Sequence, residues 1–289
     1  MKQQRHENTH DNSLKNVDFI IIGQGLCGTF LSYFLLEAGQ KILVIDDNQP
    51  SSASKVASGV INPVTGRRMV RTWRIEELLP FALRTYKQFG NELGADLVKQ
   101  CDLLDFHPSL QMKEAFEKRL AEETTYLHKL SGDEWKQYFT YYYDAGIVSP
   151  CLLVDINALL TKWREQLQLK NSLLIEHFNV NDCTVNSNEV VYKNVTARKI
   201  IFCDGVTGID NPFFKNLPYA PNKGEAIIAR IPGLPQDHIY KQGLSIVPWK
   251  EGLFWIGSSY EWNFSDAHPT ATFKQKVTQQ LTYWLKIPN

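Results

Sequence analysis

The chain has 289 residues, 43% of them hydrophobic, enough to bury the core of one large domain or two interlocked ones. Lys plus Arg and Asp plus Glu both number 31, so no net field draws the chain to nucleic acid or an acidic membrane, and neither is expected as a partner. Five scattered cysteines without a C-x-x-C pair fit neither a disulfide framework nor a zinc site, and the histidines lack metal-ligand spacing, so no metal is proposed and a reducing cytoplasm is the expected location.

Met1 to Asn16 is polar, lacks the apolar stretch of a secretory signal, and is expected to be a disordered tail. Val17 to Ile22 is a continuous apolar run of strand length, the pattern of a parallel strand buried on both faces and far too short to span a bilayer. Cys27 to Ala38 carries Phe30, Leu31, Phe34 and Leu35 at helical spacing, Gly39 stops it, and Lys41 to Ile45 is a second apolar strand ending in Asp46 and Asp47. Together these segments predict a βαβ unit. Ser51 to Gly66, rich in Ser, Ala and Gly, reads as a loop reaching along a ligand. Arg74 to Leu93 predicts a helix with Leu78, Leu79, Phe81, Ala82 and Tyr86 on its buried face, and Met112 to Glu123 a charged helix. Asn157 to Leu169 predicts another amphipathic helix, and Ser172 to His177, Val190 to Tyr192 and Arg198 to Cys203 predict strands, the last running into Asp204-Gly205. From Gly224 to Trp262 short strands alternate with Pro and Gly turns, and a helix is predicted from about Thr272 to Leu285.

Gly23-Gln-Gly25-Leu-Cys-Gly28 lies between a predicted strand and a predicted helix, the context that makes a G-x-G-x-x-G match informative. Gly23 permits the tight turn, Gly25 lets a pyrophosphate approach the backbone, and Gly28 lets the helix pack closely on the strand. The helix N-terminus adds free N–H groups and a positive dipole for the phosphates. Asp46, eighteen positions after Gly28, is placed to accept from an adenosine ribose and disfavours a 2′-phosphate. Asp47 is the alternative acceptor.

A nicotinamide dehydrogenase usually continues βαβα after the second strand, whereas this chain enters the small-residue loop. With that loop the sequence resembles the D-amino-acid oxidase, glycine oxidase and sarcosine oxidase family of FAD-dependent oxidoreductases. The resemblance rests on Gly23, Gly25, Gly28 and Asp46, the loop Ala57-Ser58-Gly59-Val60, Cys203-Asp204-Gly205, and Val247-Pro248 through Ile256-Gly257-Ser258-Ser259, and so spans most of the chain. It implies an α/β fold in which a Rossmann-like, glutathione-reductase-type FAD domain is joined to a mixed-sheet α+β substrate domain. The expected boundaries are 17–75 and 145–215 for the FAD domain and 76–144 and 216–289 for the substrate domain. It implies FAD as cofactor and a small amine or amino acid as substrate, its C–N bond oxidised by hydride transfer to flavin N5, with oxygen or another acceptor taking the electrons. The sequence is also similar to the oxidase module of tRNA wobble-uridine modification enzymes, a reading that would need a basic patch in three dimensions.

Carried over position by position, the resemblance assigns Gly23, Gly25 and Gly28 to the pyrophosphate, Asp46 to the ribose, Ser58, Gly59 and Val60 to the flavin, Val180 to the adenine through its backbone, and Gly205 to closure around the phosphates. Ser58 also suits a plain turn and Val180 a core position. Ser245, Ser259 and Tyr260 are the candidate catalytic, substrate-facing residues, since their strands form the wall facing the flavin in the family; Tyr260 equally suits a half-buried sheet position. Ser245 stands where amino-acid oxidases often carry a substrate-binding tyrosine, which argues against glycine-like substrates. Arg67, Arg68 and Arg71 suit either a carboxylate or phosphate clamp or a solvated basic face, and the seven tryptophans are expected to serve packing. Family members normally continue past the final helix into a strand with a Gly-x-Arg-Pro motif that meets flavin and substrate, and this sequence ends at Asn289. The rival expectation is therefore a catalytically impaired flavin- or nucleotide-binding protein.

Overall fold

A computed structural model describes residues 15–66 and 68–286. The expected N-terminal tail lies outside the described residues except for Lys15 and Asn16, which belong to the first strand. The chain divides into two units, Met1–Lys55 with Leu160–Pro218, and Val56–Leu159 with Tyr219–Asn289.

The first unit is built on one six-stranded sheet. Its order, edge to edge, is Leu173–Leu174, Ile42–Ile45, Lys15–Ile22, Val195–Phe202, Val190–Tyr192 and Cys183–Val185. The first four strands run parallel, with Ile20 opposite Leu43 on one side and Ile200 on the other, and the last two add an antiparallel meander. Ile20 and Ile21 point to opposite faces and both are 0% exposed, which is what a strand in the middle of a covered sheet requires and why the run carries no polar alternation. The helix Leu26–Glu37 connects the neighbouring strands Lys15–Ile22 and Ile42–Ile45. Its ending is a Schellman motif: Gly39 adopts a φ of +72° and donates to Leu36, while Gln40 donates to Leu35. The expected strand over Ser172 to His177 shrinks to two residues, and Val180 sits half-buried in a 3-10 turn, Val180–Asp182, rather than in a strand.

Helix Leu26–Glu37 turns mostly small residues inward. Its buried residues are Gly28, Thr29, Ser32 and Tyr33, while Phe34 is 45% exposed. Close approach to neighbouring backbone selects small residues there, and their hydroxyls are satisfied internally: Ser32 donates to the Thr29 carbonyl and accepts from Trp163 Nε1 at 2.8 Å.

The second unit carries a seven-stranded mixed sheet. Its order is Ala226–Arg230, Leu253–Gly257, Leu244–Pro248, Ile239–Gln242, Leu103–His107, Tyr143–Val148 and Leu127–Lys129, antiparallel throughout except where Ile239–Gln242 runs parallel to Leu103–His107. One face is the core: Leu104, Phe106, Tyr240, Ile246, Phe254 and Ile256 pack with Phe273, Val277 and Trp284 of the helix Ala271–Trp284. The stretch expected to be loop, Ser51 to Gly66, instead contains a helical turn, Ala53–Val56, and two short strands, Val60–Ile61 and Val64–Thr65. Val60–Ile61 pairs with Leu152–Val154, which in turn pairs with Val98–Gln100. The helix Ile75–Leu93 forms where expected but buries Ile75, Leu79, Phe89 and Gly90, leaving Leu78 and Phe81 exposed. Among the described residues no helix is long and apolar enough to cross a membrane.

Candidate functional site

In the first unit the glycine turn is defined by contacts that no side chain could share. Gly23 has a φ of +92°, and a Cβ there would lie 2.5 Å from the Cys203 carbonyl oxygen. A Cβ at Gly28 would lie 1.9 Å from the Gly23 carbonyl oxygen, so the first turn of the helix can close on the loop only with glycine. Gly25 instead faces Ser54, whose Oγ would stand 3.0 Å from a Cβ and accepts from the Leu26 N–H at 3.0 Å. The N–H groups of Cys27 and Gly28, in the same first turn, have no acceptor among the described residues. Unpaired N–H groups at a helix N-terminus are the donor set that binds a phosphate. Gly205, at the end of the neighbouring strand, has a φ of +59° and open space where a Cβ would be.

Asp46 ends the Ile42–Ile45 strand and its carboxylate is held on three sides. Oδ2 accepts from the Gln24 N–H at 2.8 Å; Oδ1 accepts from the Asn48 N–H at 2.9 Å and from Arg164 Nη1 at 2.6 Å. Arg164 also reaches the Gln24 amide oxygen at 2.9 Å and the Asp46 carbonyl at 3.2 Å. Asp47, the alternative ribose acceptor, faces His177 at 3.0 Å instead; burial raises its pKa, and the hydrogen bonds from Gln49 and His177 outweigh that and hold it below the usual value. Gln24, Ser54 and Arg164 were not legible as site residues: Gln24 is an x of the motif, and Arg164 lies 118 positions from its partner.

In the second unit, the loop Ala57-Ser58-Gly59-Val60 is pinned to the Leu152–Val154 strand. Val154 donates to the Gly59 carbonyl at 2.9 Å, and a Cβ on Gly59, whose φ is +81°, would lie 2.1 Å from the Val154 carbonyl oxygen. The glycine is therefore demanded by this strand's approach, independently of any ligand. Trp255 Nε1 donates to the Val56 carbonyl at 2.9 Å, tying the start of the loop to the large sheet, so this tryptophan does more than pack. Ser58 lines a cleft of about 220 Å³ together with Asp155, Gln236, Trp249 and Lys250.

The face of the seven-stranded sheet opposite its aromatic core has a different composition. Cross-strand partners share a face, and in register across five strands lie Asp105, Lys241, Ser245, Gly257 and Ala226. Lys241 Nζ donates to Asp105 Oδ2 at 3.0 Å, and Asp105 is 3% exposed. His107, two residues along, is buried with both ring nitrogens unpartnered among the described residues, and burial lowers its pKa. Ser245 is half-buried on this face. Ser259 lies beyond the strand end, where its Oγ accepts from the Glu225 N–H at 2.8 Å. Tyr260 is not a half-buried sheet residue: it is 70% exposed, past the end of the strand, with its ring edge-on to Trp262 at 5.3 Å.

Arg67 lies outside the described residues, and Arg68 is exposed. Arg71 does clamp a carboxylate, but one of the chain's own: it bonds both oxygens of the buried Glu123, reaches Glu76, and lies over the Tyr126 ring. Neither a ligand clamp nor a plain solvated face describes it. Among the described residues no group of three or more His, Cys, Asp and Glu could hold a metal ion.

The comparisons with known proteins agree with this geometry. The model of the FAD-dependent oxidoreductase family matches residues 18–288. An uncharacterized oxidoreductase of Bacillus subtilis (strain 168), YurR, is 26% identical over 132 residues, covering 42% of this chain and only 35% of that protein. Among solved structures, glycine oxidase from Bacillus cereus ATCC 14579 superimposes with a TM-score of 0.76 at 18% identity, covering 93% of this chain and 80% of that one. Iminodiacetate oxidase from Chelativorans sp. BNC1 superimposes with a TM-score of 0.70 at 18% identity, covering 91% and 77%. At such identities the structural likeness speaks for the fold, a Rossmann-like FAD-binding domain with a substrate domain, and the family match over nearly the whole described sequence speaks for the rest: the chain belongs to the FAD-dependent oxidoreductase family.

Proposed function

We propose that this protein oxidises the C–N bond of a small amine or amino acid. The observation that carries the reading is the sheet face bearing Ser245, where the ion pair Asp105–Lys241 stands in register beside it and the Trp255 ring lies against Gly257. The two remaining Lys241 N–H donors suit a carboxylate or another anionic group on the substrate. FAD, when bound, supplies the hydride acceptor. The residues that would hold it are Gly23, Gly25 and Gly28 at the pyrophosphate, Asp46 at the ribose, Ser58, Gly59 and Val60 along the flavin, with Val180 and Gly205 at the nucleotide end. The bare N–H groups of the first turn support the pyrophosphate assignment. Ser245, Ser259 and Tyr260 would orient the substrate; Tyr260 is exposed, with its ring against Trp262.

The test begins with the visible spectrum of the purified protein and identification of any cofactor released on denaturation. Anaerobic additions of glycine, sarcosine, iminodiacetate, proline and the matching decarboxylated amines follow. Bleaching of the flavin bands by at least one member is expected. Released FAD with no bleaching by any amine would replace the oxidase by a flavin-binding protein without this activity.

A further inference from the structure

Asp46 stands in the structure with most of its acceptor capacity already used, and one of the groups that use it is a largely buried cation, Arg164. An ionised carboxylate offers about four acceptor positions. The Asn48 N–H and Arg164 Nη1 occupy both positions on Oδ1, and the Gln24 N–H occupies one on Oδ2, leaving a single position on Oδ2 among the described residues. Arg164 is 11% and Asp46 18% exposed at the side chain, so the pair is largely removed from solvent. The guanidinium fork is fixed at three points, on the Asp46 carboxylate, the Asp46 carbonyl and the Gln24 amide oxygen, and the Gln24 amide in turn donates to the Leu160 carbonyl at 2.9 Å. A planar fork bound at three points fixes the rotamer of its partner as a point charge does not.

We propose that Arg164 is a positioning residue for the adenosine end of FAD: it locks the Asp46 carboxylate so that Oδ2 accepts one ribose hydroxyl, and only one. This rests on the reading of Asp46 as the ribose acceptor. The consequence is a single hydrogen bond to the ribose, made by an oxygen that cannot swing away, where a free carboxylate would take both hydroxyls and lose rotamer freedom in doing so. It also gives Arg164, in the helix Ile156–Leu169, a part in cofactor affinity without touching the cofactor.

The experiment is a fluorescence titration of the flavin-free protein with FAD, its 2′-deoxyadenosine and 3′-deoxyadenosine analogues, and FMN, which lacks the adenosine half. In the wild type, removal of one ribose hydroxyl is expected to weaken binding several-fold and removal of the other to leave it unchanged; equal losses for both overturn the proposal without any substitution. Arg164→Gln is expected to weaken FAD on the order of tenfold or more while leaving FMN unchanged, and Arg164→Lys, which keeps the charge but not the fork, to fall between. Arg164→Gln with wild-type FAD affinity, or with FAD and FMN weakened alike, overturns the proposal. Asp46→Ala separates the two levels: unchanged FAD affinity in that variant would remove the ribose reading itself, whereas a loss in Asp46→Ala without one in Arg164→Gln removes only the role of Arg164.

Discussion

At the scale of single residues, charges in this chain are settled by partners far away in sequence. Arg71 and Glu123, 52 positions apart, show it most clearly. The Arg71 guanidinium holds the Glu123 carboxyl well below its usual 4.5, at about 2, against the opposing effect of burial and with help from the Thr125 and Tyr126 N–H groups. A carboxyl whose folded pKa lies below its unfolded one contributes stability that is complete above the unfolded value and disappears as pH falls toward the folded one. The advantage of the wild type over Arg71→Ala is therefore expected to be full at pH 7 and to shrink between about pH 5 and pH 2, read as the gap between urea midpoints. A gap that stays constant across that range would mean Arg71 acts through its packing on Tyr126 instead. A basic run gives no hint of this in sequence, because the charge of an arginine is visible there and its partner is not.

At the scale of elements, the glycine turn separates two reasons for glycine that the motif alone runs together. Gly28 is required by the close approach of the Gly23 carbonyl, whereas Gly205 is required only by its backbone angle, with nothing near a Cβ. Gly28→Ala is expected to cost roughly 1–3 kcal/mol or more, since the helix start must shift, and to weaken FAD retention with it. Gly205→Ala should cost about 1 kcal/mol, the ordinary penalty of a left-handed conformation. Thermal melts with and without FAD compare the two, and a Gly28→Ala protein as stable as Gly205→Ala would show that the turn relaxes around the added methyl and that the close approach is not what demands glycine there. Helical spacing predicted both Leu26–Glu37 and Ile75–Leu93, but not all of what each buries: the first turns Gly28, Thr29, Ser32 and Tyr33 inward, and the second buries Leu79 as expected together with Ile75, Phe89 and Gly90 while Leu78 and Phe81 stay exposed.

At the scale of the whole molecule, five free thiols report on burial and on the cofactor together. Cys101 and Cys151 are buried, Cys203 is pushed up to about 11 by burial and its neighbours' charge, and burial also raises Cys183, while Cys27 is exposed in the glycine turn. Since the thiolate is the reactive form, one fast-reacting thiol is expected with an aromatic disulfide reagent near pH 8, lost in Cys27→Ser and slowed by added FAD. A fast phase indifferent to FAD would place the pyrophosphate away from this turn. The order of reactivity follows from tertiary burial, which the even scatter of cysteines along the chain does not reveal.

The sequence by itself determined the βαβ beginning, the glycine turn, the acidic end of the second strand and the family, because each is written in neighbouring residues whose spacing follows the helix or strand period. Only the tertiary structure decided that Asp46 is held by Arg164, that Arg71 is spent on Glu123, that Gly59 answers to Val154, and that Asp105 and Lys241 stand beside Ser245. The partners in those pairings lie from 52 to 136 positions apart, and a contact made across a sheet or between packed helices depends on where the whole chain goes, which no local pattern encodes.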